Sequence, residues 1–452
     1  MILNLLLKEK KLVRESWSVS WPMMLIMFFI FLIGFTDVYV AGKFGKEIQA
    51  AYGFASQIYF VFSIIAFALT VGTVSVVSRL FTSEKKEEFN IAVDSSLIVS
   101  LFCGVIFSLI GLAFSKPIIY GVNVPAVLKT NALPLMRIYS VGLLFSYLLL
   151  NTNGILRACK SIKRSLVTMF VVCLLNVGLN FLLAFRTPLG FQGIAVATVI
   201  STFSGCIINL IFVKSLTSGR YRFSAATVKK IFNIGWPAGL LQVLWQLASV
   251  VLFLVLSALP RHNIEVMAAF TNGLKVESAI FLPAFAFNMA AAVIVGNLLG
   301  KKKSEESFHA GIVTAVTGVI IVTFLSILVV LNSPAIAAFL SPNDIVVNES
   351  VKYICISLIF EPVMAWGVIL AGSLNGAGDT KSVMKIITLS IWLVRIPLSY
   401  LLGIHFGLGA VSVWWSMNLS ILAQTFFITR HYFSRKWIAR AESLLTLPDS
   451  NP

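Results

Sequence analysis

The chain has 452 residues, 58% of them hydrophobic and only 12% charged, with a formal net charge of +17. Mean hydropathy is +0.93. A soluble chain carries about 25% charged residues, so a water-soluble enzyme is excluded, and the apolar content suffices for about twelve crossings at ~20 residues each. The positive charge is not a nucleic-acid patch, because Lys and Arg sit in short breaks between apolar runs.

A basic stretch from Lys8 to Arg14 leads into an apolar run from Trp17 to Ala41, too long for a cleavable signal core. Twelve apolar segments follow in order at 17–41, 52–80, 91–114, 131–155, 165–185, 190–213, 231–259, 266–299, 308–331, 351–374, 382–402 and 408–429. The N-terminal arm, alternate breaks and the tail hold 24 Lys and Arg, and the opposite breaks hold six: Lys43, Lys46, Lys116, Lys129, Arg186 and Arg261. The positive-inside rule then places both termini in the cytoplasm of a multi-pass inner (plasma) membrane protein, as an even span count requires. Cys103, Cys173, Cys206 and Cys355 lie in apolar runs and Cys159 in a basic loop, with no CxxC pair, so neither a disulfide framework nor a zinc site is indicated. The tail after Arg430 alternates basic and apolar residues, as an amphipathic helix on the inner surface or a solvated tail would.

The chain repeats itself. Ser20-Trp21-Pro22 recurs as Gly235-Trp236-Pro237. Downstream the matches keep one constant offset: Ala66-Phe67-Ala68 with Ala284-Phe285-Ala286, Glu87-Glu88 with Glu305-Glu306, Gly154 with Gly372. A repeat six helices long starts both copies on the same side. The expected fold is an all-α polytopic membrane protein of twelve transmembrane helices, in two six-helix lobes related by a pseudo-two-fold along the membrane normal. The expected domains are an N-terminal lobe at 1–213, a cytoplasmic linker at 214–230, a C-terminal lobe at 231–430 and a cytoplasmic tail at 431–452. Two such lobes suit alternating access.

Ionisable residues inside spans are costly, so each is a functional candidate. Asp37, in GFTDVYVAG, lies roughly 24 Å beyond Trp21 along the first helix. Gly34 and Ala41 at i−3 and i+4 make its face small. Such an acid is neutralised by a proton, a metal ion such as sodium, or an organic cation; the structural alternative is a bond to a neighbouring helix. Glu277 lies early in segment 8, where Lys275 could pair with a nearby carboxylate, and Glu361 is mid-segment 10, before Pro362, which loosens the helix. Asn176 and Asn180 share one face of segment 5 at i and i+4. With Gln57, Asn153, Gln242 and Gln246 they are cavity lining or interhelical hydrogen bonding. Arg395 is a buried cation near a proline, an ion-pair anchor or a substrate contact. The four histidines fall in breaks. GAGDTKS at 376–382 lacks the glycine before lysine of a phosphate loop, and no HExxH or GxSxG occurs, so neither ATP-driven pumping nor an intramembrane hydrolase is indicated.

GFTDVYVAGKFG in segment 1, WPAGLLQ opening segment 7, LPAFAFNMAAAVIVGNLLGKKK ending segment 8, LAGSLNGAGDTKS after segment 10 and RIPLSYLLGIHFGLGAVSVWW across segments 11 and 12 occur in this order at repeat spacing. Over about residues 15 to 435 the chain resembles the multidrug and toxic compound extrusion (MATE) transporters. The resemblance implies cation-coupled antiport in a V-shaped two-lobe fold, with amphipathic or cationic organic compounds expelled as protons or sodium ions enter. It implies no cofactor beyond the coupling ion. The expected partners are a small organic substrate and membrane lipid, with no nucleic acid, and the expected state is a monomer. Asp37 matches the family's helix 1 acid, and Glu277 and Glu361 resemble second-lobe acids of some branches. In this chain Asn180 stands where some branches carry an Asp, and Gln242 and Gln246 stand in the helix where others carry a carboxylate. A lipid-linked oligosaccharide flippase of the related superfamily would use cations such as Arg395, Arg137 and Lys275 to hold a pyrophosphate. A membrane-embedded transferase would need a His or acid constellation near a membrane face.

Overall fold

The computed structural model describes residues 9–83, 85–122, 124–217 and 222–443; Lys8, residues 218–221 of the expected linker and residues 444–452 of the tail lie outside the described residues. Among the described residues there is no strand. A chain dissolved in hydrocarbon must satisfy its own backbone polar groups, which a helix does within one segment. The first half comprises α1 (Lys10–Lys43), α2 (Lys46–Thr82), α3 (Lys86–Gly121), α4 (Ala126–Ala158), α5 (Ile162–Arg186) and α6 (Gln192–Lys214). The second comprises α7 (Ala225–Ser257), α8 (Asn263–Gly300), α9 (Ser304–Leu331), the short α10 (Ser333–Leu340), α11 (Asp344–Leu358) and α12 (Glu361–Gly376). It continues as α13 (Thr380–Leu389), π-helical turns at Ser390–Arg395 and Leu401–His405 either side of α14 (Ile396–Tyr400), then α15 (Ala410–Phe433) and α16 (Lys436–Ser443). Eleven of these helical stretches are long and apolar enough to cross a membrane, or twelve when α11 and α12, bent by 50° at their junction, count as one broken span.

The repeat is visible in the helix starts. α3, α4, α5 and α6 begin at Lys86, Ala126, Ile162 and Gln192, and α9, α11, α13 and α15 begin at Ser304, Asp344, Thr380 and Ala410, all four pairs at the same offset. The second copy departs at two breaks, each with a proline in the turn that follows, whereas the first copy carries Pro117 inside an unbroken α3. α9 stops and α10 restarts with Pro334 in its first turn, and Pro362 opens α12, where the first copy has Leu144 in an unbroken α4. Proline lacks the N–H that would bond back across the break.

Two compact units divide the chain, one of Leu25–Gly239, the other of the residues up to Met24 together with those from Leu240. Each boundary falls two residues past a proline of the repeated pair, Pro22 or Pro237. Within the first unit α4 is the central helix, packed on α2, α3 and α6. Its last turns, Asn151 through Ala158, are buried all round. After the sixth span the chain is tied back: Arg222 pairs with Glu87, and its backbone N–H donates to Asp94 at 3.2 Å. Asp94 is itself buried there.

Within the second unit α8 packs on α12, α9 and α11. Phe270, Tyr353 and Trp414 stack at its centre, with ring centroids 4.8–5.5 Å apart. The close approach of α8 and α12 needs glycine: a Cβ on Gly372 would lie 2.2 Å from the Asn288 carbonyl oxygen, and one on Gly376 2.1 Å from that of Ala292. GSLNG is thus a small-xxx-small packing face, and Gly154 makes the matching approach to Thr70 in the first unit. Arg435 pairs with Glu305 at 2.5 Å, the counterpart of Arg222 with Glu87.

In the tail α16 is a helix whose apolar face packs on the protein: Trp437 is fully buried, and its indole N–H donates to the Tyr432 carbonyl at 2.8 Å. A clasp holds it. Asp379, just before α13, accepts from His431 at 2.6 Å, Ser382 at 2.8 Å and Arg440 at 3.1 Å. Burial pushes the Asp379 carboxyl up, but the hydrogen bonds of His431 and Ser382 and the charges of His431 and Arg440 outweigh it and hold it below the ordinary carboxylate range. With the folded value depressed, the clasp contributes fully above the unfolded value of about 4 and is lost as pH falls through the lower folded value. Asp379→Asn should therefore lower thermal stability at neutral pH by roughly 1.5–3 kcal/mol, flatten the acid-side dependence, and speed tryptic cleavage after Arg440. Unchanged cleavage would leave the clasp without a role in docking α16.

Candidate functional site

Asp37 is placed by two hairpins. α1 turns into α2 at Phe44-Gly45, where Gly45 has φ 109°, a value that favours glycine. Asp37 lies seven residues before Phe44 and Tyr52 seven after Gly45, so they meet across the turn, and the Tyr52 hydroxyl donates to Asp37 Oδ2 at 3.2 Å. α5 turns into α6 around Leu189, with Asn180 and Thr198 each nine residues away. Asn180 Nδ2 donates to Asp37 Oδ1 at 2.6 Å and to Asn176 Oδ1 at 3.0 Å. Asn176 Nδ2 in turn donates to Thr198 Oγ1 at 3.3 Å. The single Thr198 hydroxyl hydrogen is shared between Asp37 Oδ2 at 3.4 Å and the Ile194 carbonyl at 3.1 Å.

Asp37 is only 4% exposed, and none of the ion pairs among the described residues includes it. Neutral donors satisfy the lone pairs of a carboxylate but leave its charge uncompensated in a low-dielectric interior. The Asn180 carbonyl oxygen, buried without a hydrogen-bond partner, adds an acceptor beside it. The arrangement can take one positive partner, either a proton on Asp37 or a small cation held by the oxygens of Asp37, Asn180 and Thr198. No group of three His, Cys, Asp or Glu that could hold a metal ion occurs among the described residues.

A second cluster lies in the other unit. Glu277 is mid-helix, not early, in α8, and accepts from the Tyr353 hydroxyl. Lys275 does not pair with it, contrary to expectation: residues two apart on a helix do not face each other, and Lys275 has no carboxylate partner among the described residues. Arg395, in the first π-helical turn, acts electrostatically on Glu277, and its Nε donates to Ser420 Oγ at 2.9 Å. Glu361 opens α12 at the bend, is 2% exposed, interacts electrostatically with Glu277, and leaves Oε2 without a hydrogen-bond partner.

The remaining candidates lie elsewhere. Asn153 belongs to a separate interhelical network, accepting from Ser165 at 2.7 Å and Asn209 at 2.9 Å. Gln57 is exposed on α2 and Gln242 and Gln246 are half-buried on α7, outside the hydrogen bonds of both clusters. The histidines are not all in breaks, since His309 lies in α9 and His431 in α15. Sequence reading missed Tyr52, Thr198, Tyr353 and Ser420, yet the equal spacing of Tyr52 and Thr198 from their turns was a usable signal. The repeat carries the frame but not the chemistry. At repeat-equivalent positions Asp37 becomes Leu252 and Asn180 Leu398, while Glu277, Glu361 and Arg395 correspond to Tyr59, Leu143 and Val177.

A repeated array of membrane-length helices with buried carboxylates inside each unit has the architecture of a membrane transporter. The chain belongs to the MatE family, whose model matches residues 22–182 and again 237–401, one copy in each half. Relatives include the probable multidrug resistance protein NorM of Thermotoga maritima, 24% identical, with 97% of this chain and 96% of that one covered. NorM of Vibrio vulnificus is 26% identical over 89% of this chain and 92% of that one. Among solved structures, an outward-facing multidrug resistance MATE family transporter of the MOP superfamily superposes with a TM-score of 0.88 at 21% identity, covering 96% of this chain and 97% of that one. A MOP superfamily transporter from Pyrococcus furiosus, described as having a binding pocket of reverse polarity, superposes with a TM-score of 0.88 at 20% identity, covering 95% and 97%. At these identities the structures establish the fold alone.

Proposed function

We propose that this chain is a cation-coupled antiporter that exports amphipathic or cationic organic compounds, with Asp37 as the coupling carboxylate. The observation that carries this reading is the buried Asp37 carboxylate held by neutral donors alone. Cargo loads from the cytoplasm, and a proton or sodium ion entering at Asp37 favours the state that releases it outside. An ion can shift that equilibrium only by binding the two states differently, so the work falls on a site whose charge changes. Glu277 and Glu361 supply a second pair of acids, with Arg395 as an internal positive charge. The NorM relatives are named for multidrug resistance, which supports small organic cargo. The working topology has both termini in the cytoplasm of the inner membrane, lobes at 1–213 and 231–430, a linker at 214–230, a tail at 431–452, and a monomer.

Arg395 favours one second reading, in which the cargo is anionic, as in a lipid-linked sugar flippase. The two separate in proteoliposomes of the purified full chain given pH and sodium gradients independently, without ATP. The antiporter reading expects a fluorescent organic cation to accumulate against its gradient under one imposed ion gradient and not without it. Translocation of a pyrophosphate-linked lipid with no cation transport would overturn it.

A further inference from the structure

At the junction of α9 and α10 the second unit carries a cavity of about 470 Å³, lined by Lys275, Asn332 and the apolar side chains of Val276, Ile336, Phe339 and Leu340. The break that creates it has no counterpart in the first copy, where α3 runs unbroken to Gly121. We propose that this cavity is a binding site for an anionic phospholipid, its headgroup phosphate on Lys275 and Asn332 and an acyl chain along the apolar wall of α10.

The Lys275 Cα stands about 18 Å along α8 from that of Asn263, and its side chain lies beside apolar walls with no carboxylate partner among the described residues. A cation at that depth is costly unless it reaches water or an anion. Glu277, the nearest acid in sequence, is turned to Tyr353. Asn332 spends one amide hydrogen on the Leu328 carbonyl at 2.8 Å, which leaves the other for a phosphate oxygen. Phe339 is 90% exposed and Leu331, the last residue of α9, 73%, while Ser333 and Ala337 face the protein, so one side of α10 seats the helix and the other is bare hydrocarbon. A single positive charge over an apolar wall is complementary to an amphiphile with one negative charge, and the bilayer supplies one. On the working topology the site lies in the outer leaflet, away from the basic cytoplasmic breaks.

The test uses the full chain in nanodiscs containing phosphatidylglycerol or phosphatidylcholine with a photoreactive group in the acyl chain, and maps the label by mass spectrometry. The proposal expects residues 331–340 to be labelled at least five-fold more by phosphatidylglycerol. It also expects Lys275→Gln to remove that preference, Lys275→Arg to keep it, and labelling elsewhere to be unchanged. Equal labelling by the two lipids in the unmodified chain, or an undiminished preference in Lys275→Gln, would overturn it. So would loss of the preference on adding inorganic phosphate, which would mark a free-anion site instead.

Discussion

Asp37→Asn is expected to abolish ion-driven efflux, by about ten-fold or more and down to the level of protein-free vesicles, with folded protein recovered in normal amount. The carboxamide fills the same space, its oxygen still accepts from Asn180, and the Tyr52 hydroxyl can rotate to accept from the new amide. What it cannot do is change charge. A neutral carboxamide takes up no proton and offers a sodium ion no opposing charge, so it loses most of the differential ion binding that coupling requires. The measurement is uptake of an organic cation in proteoliposomes under imposed pH and sodium gradients. Wild-type rates with unchanged ion dependence would remove Asp37 from the mechanism.

The second large effect is on folding. Gly372→Val is expected to prevent accumulation of folded protein, at a cost of about 3 kcal/mol or more. A Cβ there meets the Asn288 carbonyl oxygen at 2.2 Å, and this neighbour is backbone of α8, which has no rotamer to yield. Separating α8 from α12 would also disturb Glu277 and Glu361, which those helices carry. Gly53→Ala is the control, because nothing lies within 4 Å of its added carbon, and size-exclusion profiles of the two variants should diverge. A monodisperse Gly372→Val peak at wild-type yield would show that the helices can separate without loss.

The GSLNG stretch illustrates how far linear reading goes. Its glycines were visible as part of a loop-like motif, but their purpose is the approach of α8, a helix remote from them along the chain. The broken tenth span was half legible: Pro362 marked a weak helix, whereas the 50° bend and the orphaned Glu361 oxygen needed coordinates. The tail was legible as an amphipathic helix, but only the buried Trp437 shows that its apolar face packs on the protein.

The sequence by itself determined the membrane class, the number of spans, the six-helix repeat and the isolated acids. Those properties are local: a span is set by the length of its own apolar run, and a buried charge is conspicuous wherever it occurs. Only the tertiary structure decided the partners. Asn180 reaches Asp37 across 143 residues of chain, and Tyr353 reaches Glu277 across 76. Which faces meet depends on helix rotation and register, and hydrophobic periodicity says little about either when both lipid and core are apolar.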